Sequence, residues 1–225
     1  ILNKSDLADK AKTRDWQNYF EGEGRHTVVI SSVNTNERKK ISDAFRFIAK
    51  PITEKYAAKG VFKPVRAMIA GVPNSGKSTL INCVSTRKAA LTGDRPGVTK
   101  GKQWIRLAEG IELLDTPGTL WPKFEDEAAA RRLAYIGSIK DEVIDIPEAA
   151  GFLLEELSIL YPAALGARYK TEAAGKNGAE ILDEICLKRG YMLGGGQPDT
   201  ERCAKAVLDD FRKGRLGALT LEAPC

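Results

Sequence analysis

The sequence predicts an α/β fold with a mostly parallel sheet in a three-layer arrangement, followed by a small all-α C-terminal domain. Three observations lead there. β-branched runs alternate with helix-period segments over residues 1–147. A glycine-rich motif lies between one such run and a helix. Beyond Pro147 the apolar spacing is helical. The change of period divides the chain into residues 1–147 and 148–225.

The elements follow in order. Residues 26–31 (HTVVIS) and 65–71 (VRAMIAG) read as strands. Residues 36–50 carry Ile41, Phe45 and Ile48 at helical spacing. A second helix begins at Gly76 and carries Leu80, Ile81 and Val84. Residues 103–107 and 111–114 flank a turn at Glu109-Gly110. In the tail, residues 148–160, 179–188 and 200–213 read as helices, the last with Asp199 or Thr200 as cap and Gly214 as stop. Gly194 to Gly196 form a loop, because no strand leads into them.

Composition excludes several classes. The 225 residues are 43% hydrophobic and 29% charged, as expected of a soluble globular protein. Apolar runs such as residues 67–72 are too short to span a membrane, and the opening residues lack a signal-peptide pattern. Cys83, Cys186, Cys203 and Cys225 lie far apart with no CxxC. That argues against a disulfide framework or zinc cluster and fits a reducing cytosol. His26 is the single histidine, so His-based metal sites and Ser-His-Asp chemistry are excluded. Net charge is +5, split as +7 over residues 1–147 and −2 over the rest. The basic part suits a polyanion such as RNA; a lysine-rich solvated surface is the alternative.

Residues 71–78, Gly71-Val-Pro73-Asn74-Ser75-Gly76-Lys77-Ser78, match the phosphate-loop pattern G-x-x-x-x-G-K-[ST], with a strand before and a helix opening at Thr79. The loop lets successive N–H groups face phosphate oxygens, and the helix N-terminus favours the anion. Lys77 is expected on the β- and γ-phosphates and the Ser78 hydroxyl on Mg²⁺. Asn3-Lys4-Ser5-Asp6 matches N-K-x-D. There the Asp6 carboxylate accepts from guanine N1–H and the 2-amino group, Asn3 bonds the O6/N7 side, and the Lys4 stem covers the base. Adenine would leave that carboxylate unpaired, which disfavours an ATPase. A plain helix cap by Asp6 is the alternative. Ser31-Ser32-Val33 follows the HTVVI run, where a short loop is expected to turn a backbone N–H to guanine O6.

Asp115-Thr-Pro-Gly118 follows an apolar strand. Asp115 is a candidate for holding Mg²⁺ and Gly118 N–H for sensing the γ-phosphate. Thr99, in Gly93-Asp-Arg-Pro-Gly-Val-Thr99, is a candidate second hydroxyl ligand to Mg²⁺. Lys77, Thr99 and Gly118 are thus the candidate catalytic groups. In ordinary small GTPases N-K-x-D follows D-x-x-G. Here it comes first, and none recurs over residues 119–225. Tandem GTPase domains would require a second copy, so the order predicts a circularly permuted domain.

The series N-K-S-D, S-S, G-V-P-N-S-G-K-S, R-P-G-V-T, D-T-P-G and Leu120-Trp-Pro-Lys-Phe-Glu resembles the permuted GTPases of the ribosome biogenesis GTPase A type. The tail, with Lys188-Arg-Gly, Gly194-Gly-Gly and residues 211–217, is similar to that family's helical RNA-binding domain. The resemblance spans essentially the whole chain. It implies GTP and GDP as ligands and assembly of the large ribosomal subunit in the cytoplasm, with rRNA and ribosomal proteins as partners. It also implies an upstream segment with the strand before N-K-S-D and a histidine with a catalytic part. Only Ile1 and Leu2 precede the element here, so the sequence reads as a fragment.

Thr119 follows D-T-P-G where many small GTPases have a water-orienting glutamine and this family a hydrophobic residue. Slow intrinsic turnover, accelerated on the ribosome, is therefore expected. A nucleotide-gated RNA-binding module with negligible catalysis is the alternative. Asn74 resembles the asparagine of potassium-activated GTPases, which implies K⁺ beside the phosphates. Arg38 to Lys40, Lys55, Lys59, Lys63, Arg66, Arg131, Arg132, Lys188, Arg189, Arg212, Lys213 and Arg215 are candidate RNA contacts.

Overall fold

A computed structural model describes residues 1–85, 103–107, 110–121 and 123–224. It divides into two compact units. One comprises Ile1–Asp6 and Thr13–Leu120, the other Leu7–Lys12 and Trp121–Cys225. Helix α1 (Lys10–Gly22) begins in one unit and ends in the other.

The first unit holds α2 (Arg38–Ala57), α3 (Lys77–Val84) and three strands, β1 (Val65–Ile69), β2 (Gln103–Arg106) and β3 (Ile111–Asp115). Sheet order is β1-β3-β2. β1 pairs with β3 in parallel, while β2 pairs with β3 antiparallel, with Ile105 opposite Leu113. The alternation of β3 buries Ile111, Leu113 and Asp115 on one side. Ile111 and Leu113 join Val65, Ile105, Leu80, Ile81, Ile41 and Ile30 in one apolar core. The same alternation sends the Asp115 carboxylate inward.

Residues 26–31, expected as a strand, form one parallel bridge between Val29 and Leu2. Leu2 donates to Val28 O and accepts from Ile30 N–H, both at 2.9 Å. A ladder needs a facing strand, and Leu2 is the residue that faces this segment. α2 runs past the expected stop at Lys50 and carries Pro51 inside it. Proline lacks the N–H that would bond the carbonyl one turn back. Buried Ala49 nonetheless keeps the helix on the core through that turn.

The second unit is helical: α4 (Glu127–Tyr135), α5 (Ile146–Leu160), α6 (Pro162–Tyr169), α7 (Gly178–Arg189) and α8 (Thr200–Arg212). Asp126, Asp145, Asn177 and Asp199 cap α4, α5, α7 and α8, and Glu180 completes a capping box with Asn177. α5 packs against the other four helices. Its Leu153, Leu154 and Leu157 meet Leu165, Ile181, Ile185, Val207 and Leu208. Besides Leu7–Lys12, this compact unit takes in the chain from Trp121, before the division drawn at residues 147 and 148. Tyr135, at the end of α4, is buried in the same core as α5, which draws the preceding helix into the unit.

No single helix among the described residues is long and apolar enough to cross a membrane. The bent pair α5–α6 passes by length and composition, but Leu153, Leu154, Leu157 and Leu165 are buried in the helical core.

One charged cluster fastens the helical unit. Arg168 forks onto Asp210 at 2.9 and 3.0 Å, Tyr169 OH donates to Oδ2 at 3.1 Å, and Arg215 donates to Oδ1 at 2.9 Å. Burial pushes the Asp210 carboxyl up, but the bonds from Arg168, Arg215 and Tyr169 outweigh it and hold the group below its ordinary value of 3.8. A depressed carboxyl stabilises the fold above its unfolded pKa and loses that contribution as pH falls through the folded one. Asp210→Ala, which leaves the buried Tyr169 hydroxyl and the partly exposed Arg168 and Arg215 without this acceptor, is expected to cost the helical unit about 1–3 kcal/mol at neutral pH. Hydrogen exchange in α5 to α8 against denaturant measures it, and the difference should shrink below about pH 4.

Candidate functional site

The motifs of the first unit converge on the loop between β1 and α3. Asn74 takes φ 59 and Gly76 φ 89, which turn the chain tightly into α3. Gly76 is needed twice over. A side chain would be strained at that φ, and a Cβ would collide with Asn3 Nδ2. Lys77 Nζ donates to Gly71 O at 3.0 Å and Val72 O at 2.8 Å, so its ammonium lies over the loop. Ser78 and Thr79 follow on the first turn of α3. Pro73, Asn74 and Ser75 lie in the turn between β1 and α3, and Ser75 N–H donates to Val72 O at 3.4 Å.

Asn3 joins this loop although 72 positions separate it from Ser75. Its Nδ2 donates to Ser75 O at 2.9 Å, and its Oδ1 accepts from Ser32 N–H at 3.1 Å. One amide therefore ties three segments: N-K-S-D, the Ser31-Ser32 loop and the phosphate loop. Ser5 N–H donates to Ile30 O at 3.0 Å, which fixes the same segment one step further on. Lys4 takes φ 58, a left-handed turn that sharply redirects the chain between Asn3 and Ser5.

Asp6 is exposed and takes part in no hydrogen bond or ion pair among the described residues. The alternative of a helix cap fails on geometry. The cap of α1 is Asp9, whose Oδ1 accepts from Ala11 and Lys12 N–H at 2.8 and 3.0 Å.

The Ser31-Ser32-Val33 loop has two of its three backbone donors engaged. Ser31 N–H donates to Glu37 Oε2 and Ser32 N–H to Asn3 Oδ1. Both donors are spent. The next one, Val33 N–H, makes no hydrogen bond among the described residues, and Val33 is 71% exposed. Glu37 lies outside every motif of the sequence. A backbone donor has no residue signature, and a glutamate six positions beyond a serine pair carries none either.

Asp115 closes the far side. It is fully buried, and neither carboxylate oxygen has a hydrogen-bond partner among the described residues. Burial pushes the carboxyl up, opposed by the Lys77 ammonium; burial likewise pulls Lys77 down, opposed by Asp115. An orphaned buried carboxylate costs free energy until a cation or donor meets it. Asp115 with the Ser78 hydroxyl is a hard oxygen set that fits Mg²⁺. Thr116 Oγ1 donates to Ile69 O at 2.6 Å, tying the loop after β3 to β1. Gly118 passes so close to the phosphate loop that a Cβ would lie 2.6 Å from Pro73 Cα and 3.0 Å from Lys77 Nζ. Thr119 N–H donates to Gly71 O at 3.3 Å and its hydroxyl to Pro117 O at 3.2 Å. Thr99, with the whole segment from Gly93, lies outside the described residues.

Many of the candidate RNA contacts are engaged within the fold. Arg212 donates to Ala134 O and Tyr135 O and pairs with Asp141. Arg132 pairs with Glu156 and Glu222, Lys213 and Arg215 with Asp209, Lys188 with Glu184, and Arg66 with Glu112. Lys63 donates to Tyr56 OH, Lys40 to Val29 O and Arg189 to Arg168 O. Arg131 stacks on the Phe152 ring. Arg38, Lys39, Lys55 and Lys59 stand exposed.

Residues 66–155 match the family model described as 50S ribosome-binding GTPase. The ribosome biogenesis GTPase A of Bacillus licheniformis is 43% identical over 226 residues, covering 100% of this chain and 80% of that protein. The GDP-bound structure of TM YlqF matches with a TM-score of 0.66 at 28% identity, covering 99% of this chain and 82% of that one. The GNP-bound YlqF from T. maritima matches equally, with coverage of 100% and 81%. The early N-K-S-D, folded back onto the phosphate loop by Asn3, is the permuted order that the sequence predicts. With identity of this level along the whole length, the chain belongs to the ribosome biogenesis GTPase A family and carries its P-loop GTPase fold.

Proposed function

We propose that this chain binds guanine nucleotides across Asn3, Lys4, Ser5, Asp6, Ser31, Ser32, residues 73–79 and Gly118, hydrolyses GTP, and uses the nucleotide state to time its work on the large ribosomal subunit in the cytoplasm. The observation that carries the proposal is the Asn3 clasp, which brings the N-K-S-D segment to the phosphate loop.

In this reading Asp6 accepts from the two donors of guanine, and Val33 N–H, rather than those of Ser31 or Ser32, meets O6. Phosphates lie on the loop amides and the N-terminus of α3. Lys77 exchanges its two carbonyl partners for phosphate oxygens. Mg²⁺, held by Ser78, Asp115 and Thr99, would neutralise phosphate charge. Gly118 N–H senses the third phosphate. Because Gly118 packs on Pro73 and Lys77, a shift of Gly118 is transmitted to its segment. Asn74 is the residue that would favour K⁺ beside the phosphates.

The ribosomal role is supported by the family description and by the names of the relatives. Exposed Arg38, Lys39, Lys55 and Lys59 are better placed to meet rRNA phosphate than cations committed to internal pairs. The hydroxyl of Thr119 is turned onto Pro117 O, so it does not orient water here. That supports slow turnover alone and stimulation by the subunit.

Two experiments test the reading. Asp6→Asn should exchange GTP preference for xanthosine triphosphate, because the amide accepts from N1–H and donates to the 2-oxo group. Unchanged GTP preference would refute the base assignment. Single-turnover hydrolysis should be slow alone, rise at least tenfold with large subunits, and be faster in K⁺ than in Na⁺. No stimulation by subunits would leave a nucleotide-gated RNA-binding module, and equal rates in the two salts would remove K⁺.

A further inference from the structure

We propose that Glu37 is a positioning residue that sets the base-reading loop for the 6-oxygen of guanine. The inference rests on the guanine reading above and adds to it a side chain outside all of the sequence motifs.

Its Oε2 accepts Ser31 N–H at 2.9 Å. Asn34 N–H donates to Ser31 O at 3.0 Å, and Glu37 N–H donates to Asn34 O at 3.1 Å. Asn34 also caps the short 3-10 turn Thr35–Glu37 by accepting from Asn36 N–H. Residues 31–37 therefore close on themselves, with the Glu37 carboxylate as the latch. The latch sits at the start of α2, where the helix end favours negative charge. A carboxylate accepting a backbone N–H is roughly twice as strong as a neutral pair. Ser31 is 3% exposed and its hydroxyl has no partner among the described residues, so that side chain adds no tether of its own.

The consequence reaches the base site through one peptide. With Ser31 N–H fixed by Glu37, the following Ser32 N–H is aimed at Asn3 Oδ1. Val33 N–H is then left at the crest of the loop, without a partner among the described residues. Removing the latch lets the peptides on either side of Ser32 rotate, and the donor for O6 loses its direction.

The test measures affinity for GDP and for 2-aminopurine riboside diphosphate by titration calorimetry. The analogue keeps the phosphates and the 2-amino group but lacks the 6-oxygen; its missing N1–H is common to all variants. Glu37→Ala should weaken GDP about five- to tenfold, the loss expected for about one hydrogen bond. It should change the analogue less than about twofold, since no 6-oxygen bond is there to lose. Glu37→Gln keeps an acceptor for Ser31 N–H and should stay within about twofold of the parent for GDP. Should Glu37→Ala fail to fold, Glu37→Asp, one methylene shorter, is expected to show the same selective loss. Equal weakening of both ligands, no weakening, or a Gln variant that behaves like Ala would overturn the proposal. A parent protein that does not prefer GDP to the analogue would instead overturn the guanine reading, and this inference with it.

Discussion

One side-chain amide organises the first unit. Asn3 Nδ2 on Ser75 O and Asn3 Oδ1 on Ser32 N–H hold three loops that are remote in sequence. An amide suits this task because it carries a donor and an acceptor on one planar group. Aspartate would lack the donor for Ser75 O, and alanine would lack both. Gly76 lets the amide come close, since a Cβ there would clash with Nδ2. Circular permutation is tolerated for the same reason. What matters is that these loops meet, not the order in which the chain reaches them.

Around that clasp, the site holds unspent electrostatic capacity. The Asp115 carboxylate is buried without a hydrogen-bond partner among the described residues, and the Lys77 ammonium is partly desolvated over backbone carbonyls. Each raises the free energy of the ligand-free fold, and each is relieved by a ligand carrying the opposite charge. The helical unit shows the contrary arrangement. Asp210 is satisfied by Arg168, Tyr169 and Arg215, and Arg212 is bonded to carbonyls and Asp141. Charges there serve the fold.

Much of the site was legible because its chemistry is written in side chains and glycines at fixed spacing. The phosphate loop lies between β1 and α3 and D-T-P-G begins at the end of β3, as the sequence places them. What escaped was carried by backbone or by distant partners. Which donor of the serine loop stays unbonded among the described residues, Val33 N–H, is a property of the backbone that any residue but proline supplies. Glu37 acts through Ser31 N–H, a pairing visible only once the loop has closed. The fold followed the same rule. Strong alternation at β3 and helical spacing over α7 and α8 were readable locally. The segment around Val29 has equal strand character, yet only a bridge forms, because pairing depends on what faces it. α4 escaped for a further reason: its alanine-rich run gives little periodic signal, and Tyr135 settles its place by burial in the helical core. The tail shows the limit of reading single charges, since Arg212 reads as a free cation in sequence and is a structural brace in the fold.

Asn3 fastens the N-K-S-D segment to the phosphate loop, within reach of the one nucleotide proposed to engage both. Titration of GDP into Asn3→Ala tests it most directly. The variant should fold and bind GDP about ten- to hundredfold more weakly, as befits the loss of two part-buried bonds. A folded Asn3→Ala protein that binds GDP as tightly as the parent would contradict it.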